Sequence, residues 1–547
     1  MARVFSTLLA LLLLFVFGFS SFQGPPSAMT DEATSLAKIP TPQQAEGVPA
    51  PGSYYDAGVM TGAGAYMAEA DVYMSPLNSF DALADPGFVA ARTRPLSTFA
   101  ADVDTAAYAE VRRMILNQWG VPQDAVRLEE LINAFHYNDP APTGDEPIAL
   151  ASQVAPCPWN AAHLLLRLNL KTQALNTGKL PPSNLVFLID TSGSMDYYDK
   201  LPLVRRAFAL LAEQLTEKDK VSIVTYAGSA GVALEGARGN ETGKILAAIA
   251  DLEAGGSTHG AEGIVMAYEL AAKYAAPGVN SRVILATDGD FNVGLQSQAD
   301  LLRLIEGERQ RGVFLTVLGF GYGNLKDDTL QTLADHGNGN AAYIDTIHEA
   351  RRALVDEMGA TLVTVAKDVK LQVEFNPVAV EGYRLLGYEN RRLQDEDFAD
   401  DTKDGGEMGA GHSVTAFYEL IPAGAGEIPQ TQLTYQQDAG DTGSTDYATL
   451  HVRYKAPDGD ASTELVHPVP RQALTDKPSA DFTLGAAVAS FGQLLMRSEF
   501  AGDANKDAVL AMLQPLLAED TNGRIAELVT LVRMWDDSAT AAPNGGD

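Results

Sequence analysis

Leu185-Val186-Phe187-Leu188-Ile189 is an apolar run without alternation that stops abruptly at Asp190-Thr191-Ser192-Gly193-Ser194. A strand apolar on both faces belongs in a sheet covered on both sides, which in practice is a mostly parallel one. A helical pattern starts near Lys200, so the polar stretch is a loop at the carboxyl end of a buried strand. Open α/β sheets place their sites there. Asp190, Ser192 and Ser194 alternate, and in an extended loop they point the same way. One carboxylate and two hydroxyls, with no nitrogen or sulfur, suit Mg²⁺ better than zinc. A polar turn that caps the next helix accounts for these three residues equally well.

Two more stretches bear on that choice. Gly255-Gly256-Ser257-Thr258-His259-Gly260 opens a helical pattern, and Val283-Ile284-Leu285-Ala286-Thr287-Asp288-Gly289-Asp290 is a second buried-strand run ending in an acidic turn. The three pieces in this order resemble the von Willebrand factor type A (VWA) domain and its metal-ion-dependent adhesion site, over roughly Pro182–Gly359. The resemblance carries Asp190, Ser192, Ser194, Thr258 and Asp288 onto the five metal-site positions. It implies a bound Mg²⁺ (or Mn²⁺ or Ca²⁺) held directly by the hydroxyls, and by the aspartates directly or through water. It also implies one open coordination position for an acidic side chain of a partner protein. Asp290 and Asn292 extend the third loop and read as helix caps. His259 is left out of the ligand set because imidazole suits a hard ion poorly.

The expected fold is α/β: a Rossmann-like VWA domain at 183–365, inserted in or flanked by a β-sandwich, with helical segments at both ends. Its strands are expected at Leu185–Ile189, Val221–Tyr226, Ala230–Leu234, Ser281–Ala286, Phe314–Gly319 and Ala342–Ile344. The third of these follows its predecessor so closely that it must be an antiparallel edge. Helices are expected at about Lys200–Leu215, Glu241–Leu252, Gly260–Ala275, Ser297–Arg311, Leu325–His336 and Ile347–Met358. Strand and helix alternating in this way give a parallel sheet with helices on both faces.

Met1–Phe22 reads as a secretory signal or an uncleaved anchor, with Arg3 ahead of the apolar run Val4–Phe19. Residues 23–75 read as a flexible linker rich in Pro, Gly, Ala and Ser. In the amino-terminal region 76–182, Asp104 or Thr105 caps a helix reaching about Gln118, and Pro122 starts a second one. Val126, Leu128, Leu131, Ile132 and Phe135 form its core stripe. Asp102 and Asp104 read as capping residues before a metal pair. Strands Ile148–Ala155 and Leu164–Lys171 follow, split by Pro156-Cys157-Pro158-Trp159-Asn160. Cys157 is the single cysteine, so the chain has no internal disulfide. It reads as a buried, inert thiol. Strands at Val369–Phe375, Tyr383–Tyr388, Ser413–Ile421, Tyr447–Tyr454 and Glu464–Val469 form a β-rich domain at 366–475. A helical segment at 476–538 and a disordered tail at 539–547 complete the chain. Asp395–Glu407 reads as a solvated acidic loop balanced only by Lys403, or as a Ca²⁺ site. Ser97–Arg113, Ala125–Phe135, VAPCPWN, Gly387–Leu393 and Gly409–Glu419 resemble a bacterial family of exported VWA proteins, the YfbK-like family.

Lys plus Arg number 39 against 71 Asp plus Glu, a formal net charge of −32. That opposes binding to a nucleic-acid backbone, which needs a basic face. The expectation is a non-enzymatic envelope protein, in the periplasm or at the cell surface, whose metal captures a carboxylate of a protein partner. A metal-dependent hydrolase with Asp190 or Ser192 as nucleophile is the alternative, and a purely structural scaffold the third. Of the histidines, only His259 lies in the three site loops. His348-Glu349-Ala350-Arg351-Arg352 lacks the second histidine of a zinc-protease helix.

Overall fold

The computed structural model describes residues 85–536, except 102–104, 145, 175–180, 258–259, 290–297, 322–326, 357–362, 404, 430–442 and 458. The signal or anchor, the linker at 23–75, the Asp102/Asp104 pair and the tail at 539–547 therefore lie outside the described residues.

The run Leu185–Ile189 becomes the centre of a six-stranded sheet. Strands β5 (Ser183–Asp190), β6 (Lys220–Tyr226), β7 (Ala230–Arg238), β8 (Asn280–Thr287), β9 (Val313–Phe320) and β10 (Ala341–Ile344) lie in the order β10-β9-β8-β5-β6-β7. All neighbours are parallel except β7, which pairs antiparallel with β6 at the edge. Side chains alternate along β5. Leu185, Phe187 and Ile189 enter one core, and Val186 and Leu188 the other. Burying both faces is why the run shows no polar alternation. The first core is covered by α3 (Leu201–Ala212), α4 (Thr242–Ala250) and α8 (Ile347–Arg351). The second is covered by α5 (Gly260–Tyr274), α6 (Gln298–Arg309) and α7 (Asp327–His336). The last helix follows the expected Ile347–Met358 as far as the described residues go, to Asp356. After one turn capped by Thr346 it passes into a π-turn, Arg352–Asp356.

The A domain is an insertion. Strands β3 (Ile148–Cys157) and β4 (Asn160–Thr172) precede it, and β4 pairs along its length with β14 (Ser413–Pro422), which follows it. With β1 (Val89–Ala90) and β12 (Val380–Leu386) they form the sheet β1-β12-β14-β4-β3. A second sheet runs β13-β11-β15-β16, from Gly406–Gly409, Thr364–Phe375, Ala448–Lys455 and Ser462–Val469; β2 (Leu96–Ala100) also pairs with β11. The two ends of the insertion meet at one turn. Gly411 N–H donates to Gln173 C=O at 3.1 Å, and Ala410 N–H donates to Val363 C=O at 2.8 Å.

The first sandwich sheet is covered on both sides. Leu166, Leu168 and Leu170 of β4 face the second sheet, while Leu165 faces a helical layer. That layer holds α1 (Ala106–Leu116), α2 (Leu128–Asn133), α9 (Ala480–Met496), α10 (Lys506–Leu513) and α11 (Arg524–Met534). Helix α1 is buried on two sides: Ala106 and Ala109 pack on the A domain, and Tyr108, Val111 and Ile115 pack in the helical layer.

Several expectations need correction. The second amino-terminal helix does not run from Pro122: a 3₁₀ turn, Gln123–Ala125, is cut off by extended Val126 and Arg127 before α2 begins. The stripe is nonetheless buried throughout, from Val126 to Phe135. The acidic loop is solvated as expected, with Glu396, Asp401 and Lys403 exposed, but it is not balanced by Lys403 alone. Lys370 Nζ donates to the carbonyls of Asp397 and Asp400, Arg453 pairs with Asp401, and Lys455 donates to Asp401 C=O. These cations stand on β11 and β15, far away in sequence. Among the described residues there is no group of three or more His, Cys, Asp or Glu placed to hold a metal, which leaves the Ca²⁺ reading without support.

Candidate metal centre

Asp190 ends β5, and the parallel register sets Ile189 beside Ala286 of β8 and Asp190 beside Tyr226 of β6. The acidic turn after β8 is thereby brought next to the loop after β5. Backbone bonds fasten the glycine-rich loop to the same place: Gly193 N–H donates to Gly256 C=O at 3.1 Å, and Gly255 N–H donates to Thr191 C=O at 2.8 Å. Gly256 has φ +86°, and a Cβ there would stand 3.1 Å from Gly228 N, so the close approach favours glycine. Asp190, Ser192 and Asp288 are buried. Ser192 N–H donates to Asp190 Oδ1 at 2.8 Å, and the hydroxyls of Ser192 and Ser194 lie 3.0 Å apart. Thr258 and His259 lie outside the described residues, as do Asp290 and Asn292. Of the five expected ligands, the structure describes four and places them at the carboxyl edge of the sheet.

Residues 184–356 match the family described as von Willebrand factor type A domain, residues 75–167 the one described as von Willebrand factor, and residues 360–537 the one described as Uncharacterized protein YfbK, C-terminal. The chain is 40% identical over 453 residues to the "Uncharacterized protein YfbK" of Escherichia coli (strain K12), covering 81% of this chain and 78% of that one. It belongs to the YfbK family. A second relative, "Uncharacterized protein sll0103" of Synechocystis sp., is 30% identical over 186 residues, 34% of this chain and 43% of its own length. Among solved structures, "von Willebrand factor type A from Catenulispora acidiphila" aligns at 18% identity with a TM-score of 0.38, over 71% of this chain and 89% of that one. VWA domains commonly bind proteins and often hold a divalent metal.

The site residues of this YfbK-family chain have the chemistry such an ion requires. A small divalent cation takes oxygens at about 2.1 Å in octahedral geometry, which sets adjacent ligands about 3.0 Å apart. The 3.0 Å between the Ser192 and Ser194 hydroxyls equals that spacing. Burial pushes the Asp190 carboxyl up to about 6; Ser192 hydrogen bonds oppose the rise and the charge of Asp288 adds to it. Two buried carboxylates close enough to repel are a place where a cation is stabilised.

Three further residues belong to the site. Thr287 Oγ1 approaches Asp190 Oδ2 at 3.5 Å, and the buried Tyr226 hydroxyl lies near enough to Asp190 to favour its charged form. Lys200 Nζ donates to Asp288 Oδ2 at 2.8 Å, with both side chains buried. In sequence Lys200 reads only as the first residue of a helix. One signal was available: a cation at a helix amino terminus opposes the dipole, so it needs a partner.

Proposed function

We propose that the A domain binds one divalent cation, Mg²⁺ or Mn²⁺ first and Ca²⁺ next, through Asp190, Ser192, Ser194, Thr258 and Asp288. In this reading the cation captures an acidic side chain of a partner protein at the cell envelope. The observation that carries the proposal is the pair of hydroxyls 3.0 Å apart beside the buried Asp190. When bound, the ion supplies a Lewis-acidic position for one further oxygen. Neutral hydroxyls donate little charge, so that position stays attractive to a carboxylate. Asp190 is oriented by the Ser192 N–H, and the Gly255–Gly256 backbone holds the second loop against the first.

Binding is favoured over hydrolysis because, among the described residues, the Ser192 hydroxyl is engaged by Ser194 Oγ and by no base that would activate it. The apolar run Val4–Phe19 supports export, by a cleaved signal or a retained anchor. Among the described residues no helix is long and apolar enough to cross a membrane. The test is capture of envelope proteins by wild type and Asp190→Ala, with and without EDTA. Capture lost in the variant and lost with EDTA supports the reading. Capture of the same proteins by both, insensitive to EDTA, overturns it.

A further inference from the structure

The metal site has a protein cation of its own. Lys200 Nζ is 2.8 Å from Asp288 Oδ2, its side chain 6% exposed and that of Asp288 fully buried. The placement is built into the fold. Lys200 closes the first site loop immediately before α3, and its aliphatic stem lies against Gly321 at the end of β9. Gly321 has φ +76°, and a Cβ there would overlap Lys200 Cγ, so the backbone itself leaves the lane through which the stem passes. The carbonyl of Gly321 accepts a 2.6 Å hydrogen bond from the buried Tyr343 hydroxyl, which fixes that wall. The Tyr197 ring lies 5.5 Å from the ammonium on the outer side.

We infer that Lys200 is a resident cation of this site, which competes with the divalent ion for Asp288 and leaves the loaded site positively charged. The inference rests on the metal reading above. Asp190, Asp288 and Lys200 together carry a formal charge of −1, and a divalent ion brings it to +1. Without the lysine the loaded site is neutral. Lys200 therefore weakens metal binding by like-charge repulsion at short range. In exchange it strengthens the attraction for the partner's carboxylate, which completes neutrality. The lysine sets the order of events: the ion is held loosely until an acidic ligand arrives.

The experiment titrates the full chain with Mn²⁺ and reads free ion by electron paramagnetic resonance, for wild type, Lys200→Met and Lys200→Gln. The glutamine keeps a donor toward Asp288, and so covers the case in which the methionine variant fails to fold. Both variants are expected to bind Mn²⁺ at least about tenfold more tightly than wild type. Mn²⁺ is also expected to raise their unfolding temperature more than that of wild type. Wild-type binding with equal or weaker binding in the variants overturns the role of Lys200 and leaves the metal reading standing. Binding in the variants alone supports the competition and overturns metal dependence in the native chain. Binding in none of the three overturns both.

Discussion

Glu349 stands in the last helix of the A domain, buried, where three arginines from three elements converge on it. Arg352 follows it by one turn, Arg524 comes from α11 at 3.1 Å, and Arg112 comes from α1 at 3.5 Å. Arg112 and Arg524 also pair with Glu527 of α11, and Arg112 with Asp345. Burial raises the pKa of Glu349, yet Arg352, Arg524 and Arg112 overcome that and hold it at about 2, against an ordinary 4.5. A depression of that size corresponds to about 3 kcal/mol. Removing one partner of a buried ion cluster independently suggests about 3–5 kcal/mol. Because the folded value is depressed, the contribution is complete above pH 4.5 and is lost as pH falls toward about 2. The perturbation is Glu349→Gln, and the assay is urea unfolding followed by tryptophan fluorescence. Trp119, Trp159 and Trp535 all lie outside the A domain. A change in their transition therefore reports on what the junction does for the helical layer and sandwich. The expected result is a midpoint lowered by about 1 M, for a slope of about 3 kcal/mol per M. The difference should stay level from pH 8 to 5 and narrow below that. An unchanged tryptophan transition, or a difference undiminished at pH 3, refutes the reasoning.

Arg384→Met should lower the unfolding temperature by several degrees, since it strands the buried Glu419 that also takes Trp159 Nε1 and His163 Nδ1; a calorimetric transition at the wild-type temperature contradicts this. Cys157 should resist Ellman's reagent at pH 8 in the folded protein and react fully in urea, because burial pushes its thiol up to about 12; rapid native labelling contradicts this. Lys370→Met should release the loop at 395–403 to limited proteolysis, as it removes hydrogen bonds to the Asp397 and Asp400 carbonyls; an unchanged digestion pattern contradicts this.

The elements legible in advance are those whose two faces or one face are fully buried. Leu185–Ile189, Val221–Tyr226 and Ser281–Ala286 emerge as central strands because both sides meet helices, and β7 as an edge because its connection is short. The insertion could be argued because a lone hairpin, β3–β4, lacks a stable partner, and β14 supplies one. What was not legible depends on distant partners. Leu96–Ala100 is a strand only because β11 offers a free edge, and Val89–Ala90 only because β12 does. The acidic loop looks unbalanced in sequence because Lys370, Arg453 and Lys455 reach it from separate strands. At the site, the oxygen donors announce themselves by alternation after a buried strand. Lys200 and Tyr226 do not, since each looks like an ordinary end of a helix or strand.

The measurement that tests the central claim most directly is calorimetric titration of Mg²⁺ and Mn²⁺ into the full chain and into Asp190→Ala and Asp288→Ala, with the fold of each checked by circular dichroism. The account predicts one ion per chain in wild type and none in either folded variant. Binding that persists unchanged in Asp288→Ala, or a wild type that takes up neither ion, would contradict it.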